Sequence, residues 1–371
     1  MADIAYIYDQ PEWPNFRWQI DQLTSHLAGV RHRQGRLFGR MEALGFELRS
    51  EATLQTLTQD VVTTSEIEGK ILNEDAVRSS VARHLGMDIA GLVPADRDID
   101  GVVEMMLDAT QNHAAPLDAE RLFGWHASLF PDGRSGLTRI AVGRWRHGPM
   151  QIVSGPFGRQ GVHFDAPGAE TLDHEMTQFL RWFENQDDID PVLRAGVAHL
   201  WFVTIHPFDD GNGRIARAIA DLALARSEGS AQRFYSMSAQ ICAGREDYYR
   251  MLEMTQKRDD LDITAWLGWF LETLDHAFDR AEATLATVLR KARFWQWPAT
   301  AGLNDRQRLV LNRLLGYFEG KLTSMKYAKL AKTSQDTASR DIADLMRRGV
   351  LLRDSAGGRS TSFSLVEPPV G

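Results

Sequence analysis

The segment from His206 to Arg217 constrains the fold of this chain more than any other stretch. It reads His-Pro-Phe-Asp-Asp-Gly-Asn-Gly-Arg-Ile-Ala-Arg, with an apolar run (197–205) before it and a helix-favouring run (215–226) after it. Runs of helical length on both sides of a short glycine-containing stretch predict two helices joined by a turn. We therefore expect the polar residues of this segment to lie together on the turn.

The second half of the turn has the composition of an anion-binding site. Gly211 and Gly213 lack a Cβ, so their amides can approach an anion closely. These amides would open the second helix, whose N-terminus has free N–H groups and about half a positive charge. Arg214 and Arg217 are three residues apart and project from one face of its first turn. Asn212 either orients this loop or simply caps the helix. The pattern predicts a site for a nucleotide polyphosphate.

His206 and Asp210 add chemistry to the same turn. A neutral imidazole at the end of the first helix can accept a proton from a hydroxyl near neutral pH. Asp210 offers the hard oxygen ligands that suit Mg²⁺ beside phosphate groups. Each residue also has a structural interpretation, because a helix-end histidine and a turn aspartate are common without any catalytic role. We expect Phe208 to point inward and anchor the turn in the core.

This segment resembles the signature of the Fic (filamentation induced by cAMP) family, His-Pro-Phe-x-Asp-Gly-Asn-Gly-Arg-x-x-Arg, at every fixed position. The resemblance implies transfer of AMP from ATP to a Tyr, Thr or Ser hydroxyl of a target protein, with release of pyrophosphate. It implies that His206 deprotonates the hydroxyl, that Asp210 holds Mg²⁺ and that residues 211–213 cradle the phosphates. Arg214 and Arg217 would then neutralise the outer phosphates.

A second motif, Thr64-Ser65-Glu66-Ile67-Glu68-Gly69, lies far upstream. It resembles the inhibitory motif of the same family: Ser or Thr, three residues, Glu, then Gly or Asn. Thr64 and Glu68 are four apart and share one helix face, and Gly69 marks the end of that helix. The resemblance implies that Glu68 pairs bidentately with Arg217 and keeps it from the γ-phosphate. Alternatively, Glu68 is a solvated helix acid, or it aligns a water molecule for removal of AMP.

A stretch broken by glycine and proline (144–168) predicts a β-hairpin, with strands at 151–153 and 162–164. In the family, such a hairpin is a flap that pairs with the backbone of the target. An ordinary surface hairpin is the alternative. Tyr248 and Tyr249 stand where the family often has aromatic residues near the adenine, and helix packing explains them equally well.

From Gly302 onward the pattern resembles a winged helix-turn-helix. Three helices are expected at 306–318, 326–332 and 337–348, and two strands at 351–353 and 362–365. Residues 304–365 contain twelve Lys or Arg against six Asp or Glu, which favours DNA contact. The expected recognition face comprises Gln335, Thr337, Ser339 and Arg340, with Arg359 on the wing. Such modules also serve in protein docking or dimerisation.

The predicted fold class is mainly α: a Fic helical core with a small hairpin flap, an N-terminal helical region and a C-terminal winged helix-turn-helix. The predicted domains are 1–96 with the inhibitory motif, 97–300 with the catalytic core and trailing helices, and 301–371. Helices of the core are expected at 102–113, 119–129, 171–184, 191–205, 213–226 and 246–255.

Bulk composition sets the class of protein. The chain has 371 residues, 43% of them hydrophobic, and one cysteine, Cys242, for which we expect a buried structural role. The N-terminus lacks a signal-peptide pattern and no apolar run could span a bilayer, which favours the cytoplasm. A net charge of −8 argues against general coating of nucleic acid.

Three functions remain open from the sequence. The first is an autoinhibited protein adenylyltransferase that uses ATP and Mg²⁺ and modifies a target protein or itself. The second is a DNA-binding transcriptional regulator whose Fic domain senses a nucleotide. The third keeps the fold but transfers phosphate or another nucleotide. Analogy with the family also suggests a homodimer that hides or frees the inhibitory helix.

Overall fold

Helices make up most of the described chain. The computed structural model describes residues 6–44, 46–88, 93–154, 161–185, 189–316, 318, 320–354 and 361–368. The helices in this part of the chain are α1 (Ile20–Glu42), α2 (Phe46–Ile67), α3 (Glu74–His84), α4 (Arg97–Gln111), α5 (Ala119–Leu129), α6 (Leu172–Glu184), α7 (Pro191–Ile205), α8 (Asn212–Glu228), α9 (Met237–Ala243), α10 (Arg245–Gln256), α11 (Thr264–Gln296), α12 (Asp305–Leu315), α13 (Ser324–Leu330) and α14 (Gln335–Arg347).

Three antiparallel strand pairs accompany these helices in the described residues. They are β1 (Arg134–Ser135) with β2 (Thr138–Arg139), β3 (Gln151–Ser154) with β4 (Gly161–Asp165), and β5 (Leu351–Arg353) with β6 (Phe363–Leu365). The prediction of a mainly α fold with a small hairpin is confirmed.

Helices α7 and α8 form the centre of the core and hold the signature turn between them. Thirteen of the fifteen residues of α7 are buried, because a helix that is apolar on all sides is stable only when it is surrounded. Asp190 caps its start by accepting a hydrogen bond from Val192 N at 2.8 Å, and Pro191 occupies the first helical position. α7 packs along α8, α4 and α5 also contact α8, and α6 contacts α7. The turn is therefore fixed at both ends by buried helices.

The hairpin of β3 and β4 confirms the predicted pair of strands. Its register pairs Gln151 with Asp165, and the register shifts between Ile152 and Val153. Phe164 is buried, and the rings of Tyr6 and Tyr8 meet it edge-on, with centroids 5.2 and 5.8 Å away. The N-terminal segment thus supports the base of this hairpin. The tip, residues 155–160, lies outside the described residues.

Packing divides the chain into two compact units: residues 1–45 with 49–281, and residues 46–48 with 282–371. The first unit contains most of the two segments predicted as separate domains, 1–96 and 97–300. The predicted domain boundaries stay a prediction.

The second unit has its own apolar core, which is built from the end of α11, the helices α12, α13 and α14 and the β5–β6 pair. Core side chains include Phe294, Val310, Tyr327, Ile342 and Phe363. The order of three helices and two strands agrees with the expected one, and each helix begins one or two residues earlier and ends one to three residues earlier than expected. The predicted bend at 355–359, including Arg359, lies outside the described residues. The winged-helix assignment stays a prediction.

Two further expectations concern Cys242 and the membrane. Cys242 is half-buried rather than buried, and burial together with the nearby Glu66 carboxylate raises the pKa of its thiol. Cys242 lies in the last turn of α9, beside the exposed Ala243, and this position explains the difference from the expectation. In the described part of the chain, no helix combines the length and apolar character needed to cross a bilayer. The compartment stays a prediction.

Candidate functional site

The signature turn is held by its own amide side chain. Asn212 Oδ1 accepts a hydrogen bond from Phe208 N at 2.9 Å, and its Nδ2 donates to Phe208 O at 2.8 Å. Gly211, with φ of 83°, precedes the first residue of α8, so Asn212 ties the loop together rather than capping the helix. Phe208 is fully buried, as predicted, and its ring stacks on His126 with centroids 4.2 Å apart. The turn is therefore pre-formed.

His206 is positioned as a proton acceptor. It ends α7 in the left-handed region, with φ of 52°, which is uncommon for a residue with a side chain. Its Nδ1 lies 3.1 Å from Val203 O, and because a carbonyl only accepts, Nδ1 carries the hydrogen and Nε2 has the free lone pair. Burial, with added repulsion from Arg146, lowers the pKa of His206 to about 4. The imidazole is thus neutral at pH 7.

Asp210 has the donor set of a Mg²⁺ ligand but not of a complete site. Its Oδ1 accepts a hydrogen bond from Gly211 N at 2.5 Å, and its Oδ2 accepts one from the Ser135 hydroxyl. The described residues contain no group of three or more side chains that could hold a metal. A single oriented carboxylate suits Mg²⁺ bound through a nucleotide, because that ion takes one or two carboxylates and fills its shell with phosphate oxygens and water.

The cationic side chains of Arg214 and Arg217 are buried at the start of α8. Arg214 is 5% exposed and Arg217 is 2% exposed. Among the described residues, Nε of Arg214 and Nη1 of Arg217 are buried donors without a hydrogen-bond partner. Burial lowers the pKa of Arg214, and its guanidinium lies 5.0 Å from the centre of the Phe130 ring. Unpaired buried donors are rare in folded proteins, so they indicate a ligand with acceptor oxygens at this helix end.

The upstream motif reaches Arg217, as expected. Glu68 Oε1 lies 2.8 Å from Arg217 Nη2, and Nε of the same guanidinium donates to Thr64 Oγ1 at 2.7 Å. Nη2 also donates to Thr64 O at 2.8 Å. The expected bidentate pairing is wrong: Thr64 accepts from Nε and shares Nη2, Glu68 bonds Nη2 alone, and Nη1 has no partner in the described part of the chain. Burial opposes the charge on Arg217, but Glu68 outweighs it and the pKa of Arg217 is raised.

Gly69 shapes the chain so that Glu68 can make this contact. Helix α2 ends at Ile67, and Gly69, with φ of 79°, turns the chain out of the helix. Gly69 N donates to Glu66 O at 2.8 Å and Lys70 N to Ser65 O at 2.9 Å, the hydrogen-bond pattern of a Schellman helix end. Glu68 therefore lies just beyond the helix rather than within it.

The Glu68 carboxylate also covers the start of α8. A Cβ built on Gly213 would lie 2.2 Å from Glu68 Oε1, so the carboxylate rests on the glycine itself. This is the position at a helix N-terminus where an anion is stabilised. Glu68 thus lies at this helix N-terminus and engages one of the two arginines at the same time.

A buried polar cluster also connects helices α2 and α8, away from the Glu68–Arg217 contact. Asp60 of α2 accepts a hydrogen bond from the Ser236 hydroxyl. Arg233 bonds Asp221 of α8 at 2.6 Å and Glu228 at 3.0 Å. Burial and the facing Asp60 carboxylate raise the pKa of Asp221. Helices α2 and α8 therefore meet both at the Thr64–Arg217 contact and at this cluster, which fixes the end of α2 on the core.

The two tyrosines of α10 lie close to the arginine that Glu68 engages. Tyr248 is buried, and its hydroxyl lies 2.9 Å from His199 Nε2. Burial raises the pKa of the Tyr248 hydroxyl. Tyr249 donates a hydrogen bond to Ile67 O at 3.2 Å, the last residue of α2. Tyr249 thus helps to hold the end of α2, and a contact of either tyrosine with adenine stays a prediction.

Sequence reasoning missed two residues that hold the signature turn. His126 donates from Nε2 to Asp210 O at 3.2 Å and accepts from Gly143 N at 3.2 Å. Arg146, with 1% of its surface exposed, donates from Nε to His206 O at 2.8 Å. Neither belongs to a motif; only the dense run of basic and aromatic residues at 144–147 singles out the second.

Comparison with known proteins places these residues in two matched regions. Residues 116–224, from the loop before α5 into α8, match the sequence profile of the Fic/DOC family. Residues 6–87 match that of DUF4172, a domain of unknown function. The Glu68–Arg217 contact therefore joins one matched region to the other.

Relatives with assigned names cover part of the chain. The chain is 32% identical over 119 residues to the uridine 5'-monophosphate transferase of Xanthomonas campestris, an alignment that spans 30% of this chain and 22% of that protein. It is 24% identical over 221 residues to the protein adenylyltransferase fic-1 of Caenorhabditis elegans, which spans 54% of this chain and 36% of that protein. The chain thus matches well under half the length of either relative.

Solved structures share the fold. A Fic family protein from Desulfovibrio desulfuricans superimposes with a TM-score of 0.52 at 23% identity, over 93% of this chain and 97% of that one. A Fic domain containing signaling protein from Bacteroides thetaiotaomicron gives a TM-score of 0.52 at 17% identity, over 71% of this chain and 96% of that one. At these identities the likeness concerns the fold alone.

Proposed function

Because residues 116–224 form a domain that matches the Fic/DOC family, we propose that the chain transfers AMP from ATP to a Tyr, Thr or Ser hydroxyl of a protein, which can be the chain itself. One observation supports this above all others. A free imidazole lone pair, an oriented carboxylate and two buried guanidinium donors without partners meet at one helix N-terminus. Nucleotidyl transfer requires this combination of a base and positive charge.

The proposed reaction follows from the atoms that these residues offer. The hydroxyl oxygen of the target attacks the α-phosphorus of ATP, and its proton passes to Nε2 of His206. The bond from the α-phosphorus to the oxygen of the β-phosphate breaks, and pyrophosphate leaves with both electrons of that bond. Arg214 and Arg217 hold the β- and γ-phosphates, where negative charge accumulates. The amides of residues 211–213 hold the phosphate oxygens at the start of α8.

Mg²⁺ bound at Asp210 would neutralise charge between the phosphates. The contribution of the protein is orientation, because Gly211 N and the Ser135 hydroxyl fix the two oxygens of this carboxylate. His126 holds the backbone of the same residue.

We also propose that the described arrangement is the inhibited one. Glu68 takes a phosphate position beside Gly213 and bonds Arg217, so a triphosphate must displace it before its outer phosphates can be bound. The alternative role of Glu68, alignment of a water molecule for removal of AMP, would use the same carboxylate at the same helix N-terminus.

Labelled nucleotides test the reaction. We expect ATP labelled at the α-phosphate to label protein in the Glu68→Gly variant, and ATP labelled at the γ-phosphate to leave protein unlabelled. Label from the γ-phosphate alone would indicate a kinase, and a preference for α-labelled UTP would indicate uridylyl transfer, the activity in the name of the Xanthomonas relative. Labelling by none of them, with the protein folded, contradicts the proposed enzyme.

We also propose that the second unit binds DNA. Gln335, Ser339 and Arg340 are exposed on α14, at the expected recognition face, and the basic charge of the unit favours phosphate contact. We expect the protein to shift duplex DNA with an affinity that falls with salt, and Arg340→Glu to weaken the shift. An absent or salt-independent shift would remove DNA from the function and leave docking or dimerisation for this unit.

A further inference from the structure

Arg146 lies buried between the catalytic turn and the hairpin, and its hydrogen bonds are unusual for a buried arginine. The guanidinium donates to four main-chain carbonyl oxygens: those of His206 at 2.8 Å, Gly148 at 2.7 Å, Pro167 at 2.5 Å and Ile205 at 3.5 Å. Its own backbone N donates to Pro207 O at 2.9 Å. Burial lowers its pKa, against the attraction of Asp209 and Glu170.

These bonds connect three separate parts of the chain. Ile205 and His206 end α7, where unsatisfied carbonyls and the helix dipole favour a cation. Gly148 lies just before β3, and Pro167 lies just after β4. One guanidinium therefore holds both ends of the hairpin and the main chain of the proposed base. A planar fork of donors can do this, whereas a single ammonium group cannot.

The backbone of His206 needs such support. Its left-handed conformation costs about 1 kcal/mol or more for a residue with a Cβ. Without a partner for its carbonyl, the residue could relax toward an ordinary helix end, and the direction of the imidazole would change with it. Small displacements of a base are costly, because proton transfer depends on hydrogen-bond distance and alignment.

We propose that Arg146 is a positioning residue that fixes the His206 main chain and both ends of the β3–β4 hairpin as one unit. This inference rests on the proposed function for its catalytic consequence. If the hairpin presents the hydroxyl of the target, Arg146 sets the distance between that hydroxyl and Nε2. A nucleotide makes no contact with Arg146 in this scheme, so the residue acts on the transfer step rather than on ATP binding.

The test compares Arg146→Lys and Arg146→Gln with Arg144→Lys, all in the Glu68→Gly protein. Arg144 is an exposed arginine two residues away and serves as the matched control. We expect kcat for AMP transfer to fall about 10- to 100-fold in both Arg146 variants, the size of effect that a misplaced catalytic group produces. The Kd for ATP should change by less than about threefold, and the control should keep the kcat of its parent.

Hydrogen exchange gives a second readout that does not depend on activity. The non-proline amides of 148–154, 161–166 and 205–206 should exchange faster in both Arg146 variants, while those in the middle of α7 and α8 keep their protection. If the Glu68→Gly protein transfers no nucleotide at all, the proposed function fails and exchange alone still decides the role of Arg146. Unchanged exchange at these segments overturns the proposal. A fall in kcat that is accompanied by a comparable weakening of ATP binding and by a lower melting temperature also overturns it, because such a result indicates a general structural role.

Discussion

Replacing Glu68 by glycine is expected to raise the initial rate of nucleotide transfer, measured as label on protein, by about 10- to 100-fold. The carboxylate blocks the site in two ways: it rests against Gly213 at the start of α8, and it holds Nη2 of Arg217 at 2.8 Å. Its removal frees both the anion site and the guanidinium. Couplings of this kind are worth about 1 to 3 kcal/mol, which corresponds to the expected range.

A matched variant separates this effect from a disturbed helix end. Glu66→Gly makes the same substitution two positions earlier. The side chain of Glu66 is exposed and does not reach Arg217. This variant should keep the low rate of the wild type, although glycine at position 66, inside the last turn of α2, weakens the helix more than glycine at position 68, beyond its end. Equal rates of nucleotide transfer in the Glu68→Gly and wild-type proteins, both folded and both binding ATP, would show that Glu68 does not inhibit the reaction.

Local patterns predicted the central elements well, because each carries its own boundary signal. Asp190 and Pro191 mark the start of α7, and its predicted span agrees with the observed one. The turn that follows was located by its composition, and Phe208 points inward as expected. The same holds for the β3–β4 hairpin, whose two apolar strands are separated by glycine-containing sequence.

Contacts between distant segments were predictable only where a motif linked them. The Glu68–Arg217 pair was found in this way, but its geometry was not, because the competing role of the Thr64 hydroxyl depends on the angle between α2 and α8. Arg146 and His126 were missed for the same reason. Their partners are main-chain carbonyl and amide groups, which every residue has, so the sequence contains no complementary side chain to point to them.

Replacing His206 is expected to abolish most transfer in the Glu68→Gly protein, with a fall in kcat of about 10²- to 10⁴-fold, the usual contribution of a general base. The free lone pair on Nε2 and a pKa of about 4 make this imidazole a neutral acceptor at pH 7. In the proposed reaction, the imidazole does not bind the β- and γ-phosphates of ATP. The Kd for ATP should therefore change by less than about threefold.

The choice of variant matters because the backbone of His206 has a φ of 52°. Alanine would add the cost of the left-handed conformation to the loss of the base, whereas asparagine adopts that conformation more readily. His206→Asn thus tests the imidazole with less disturbance of the turn, and His206→Ala should be equally inactive but less stable. His174→Ala, an exposed histidine of α6, is the control and should keep the rate of its parent. If His206→Asn retained more than about a tenth of that rate, the proton would have to leave by another route, and the assignment of His206 as the base would be wrong.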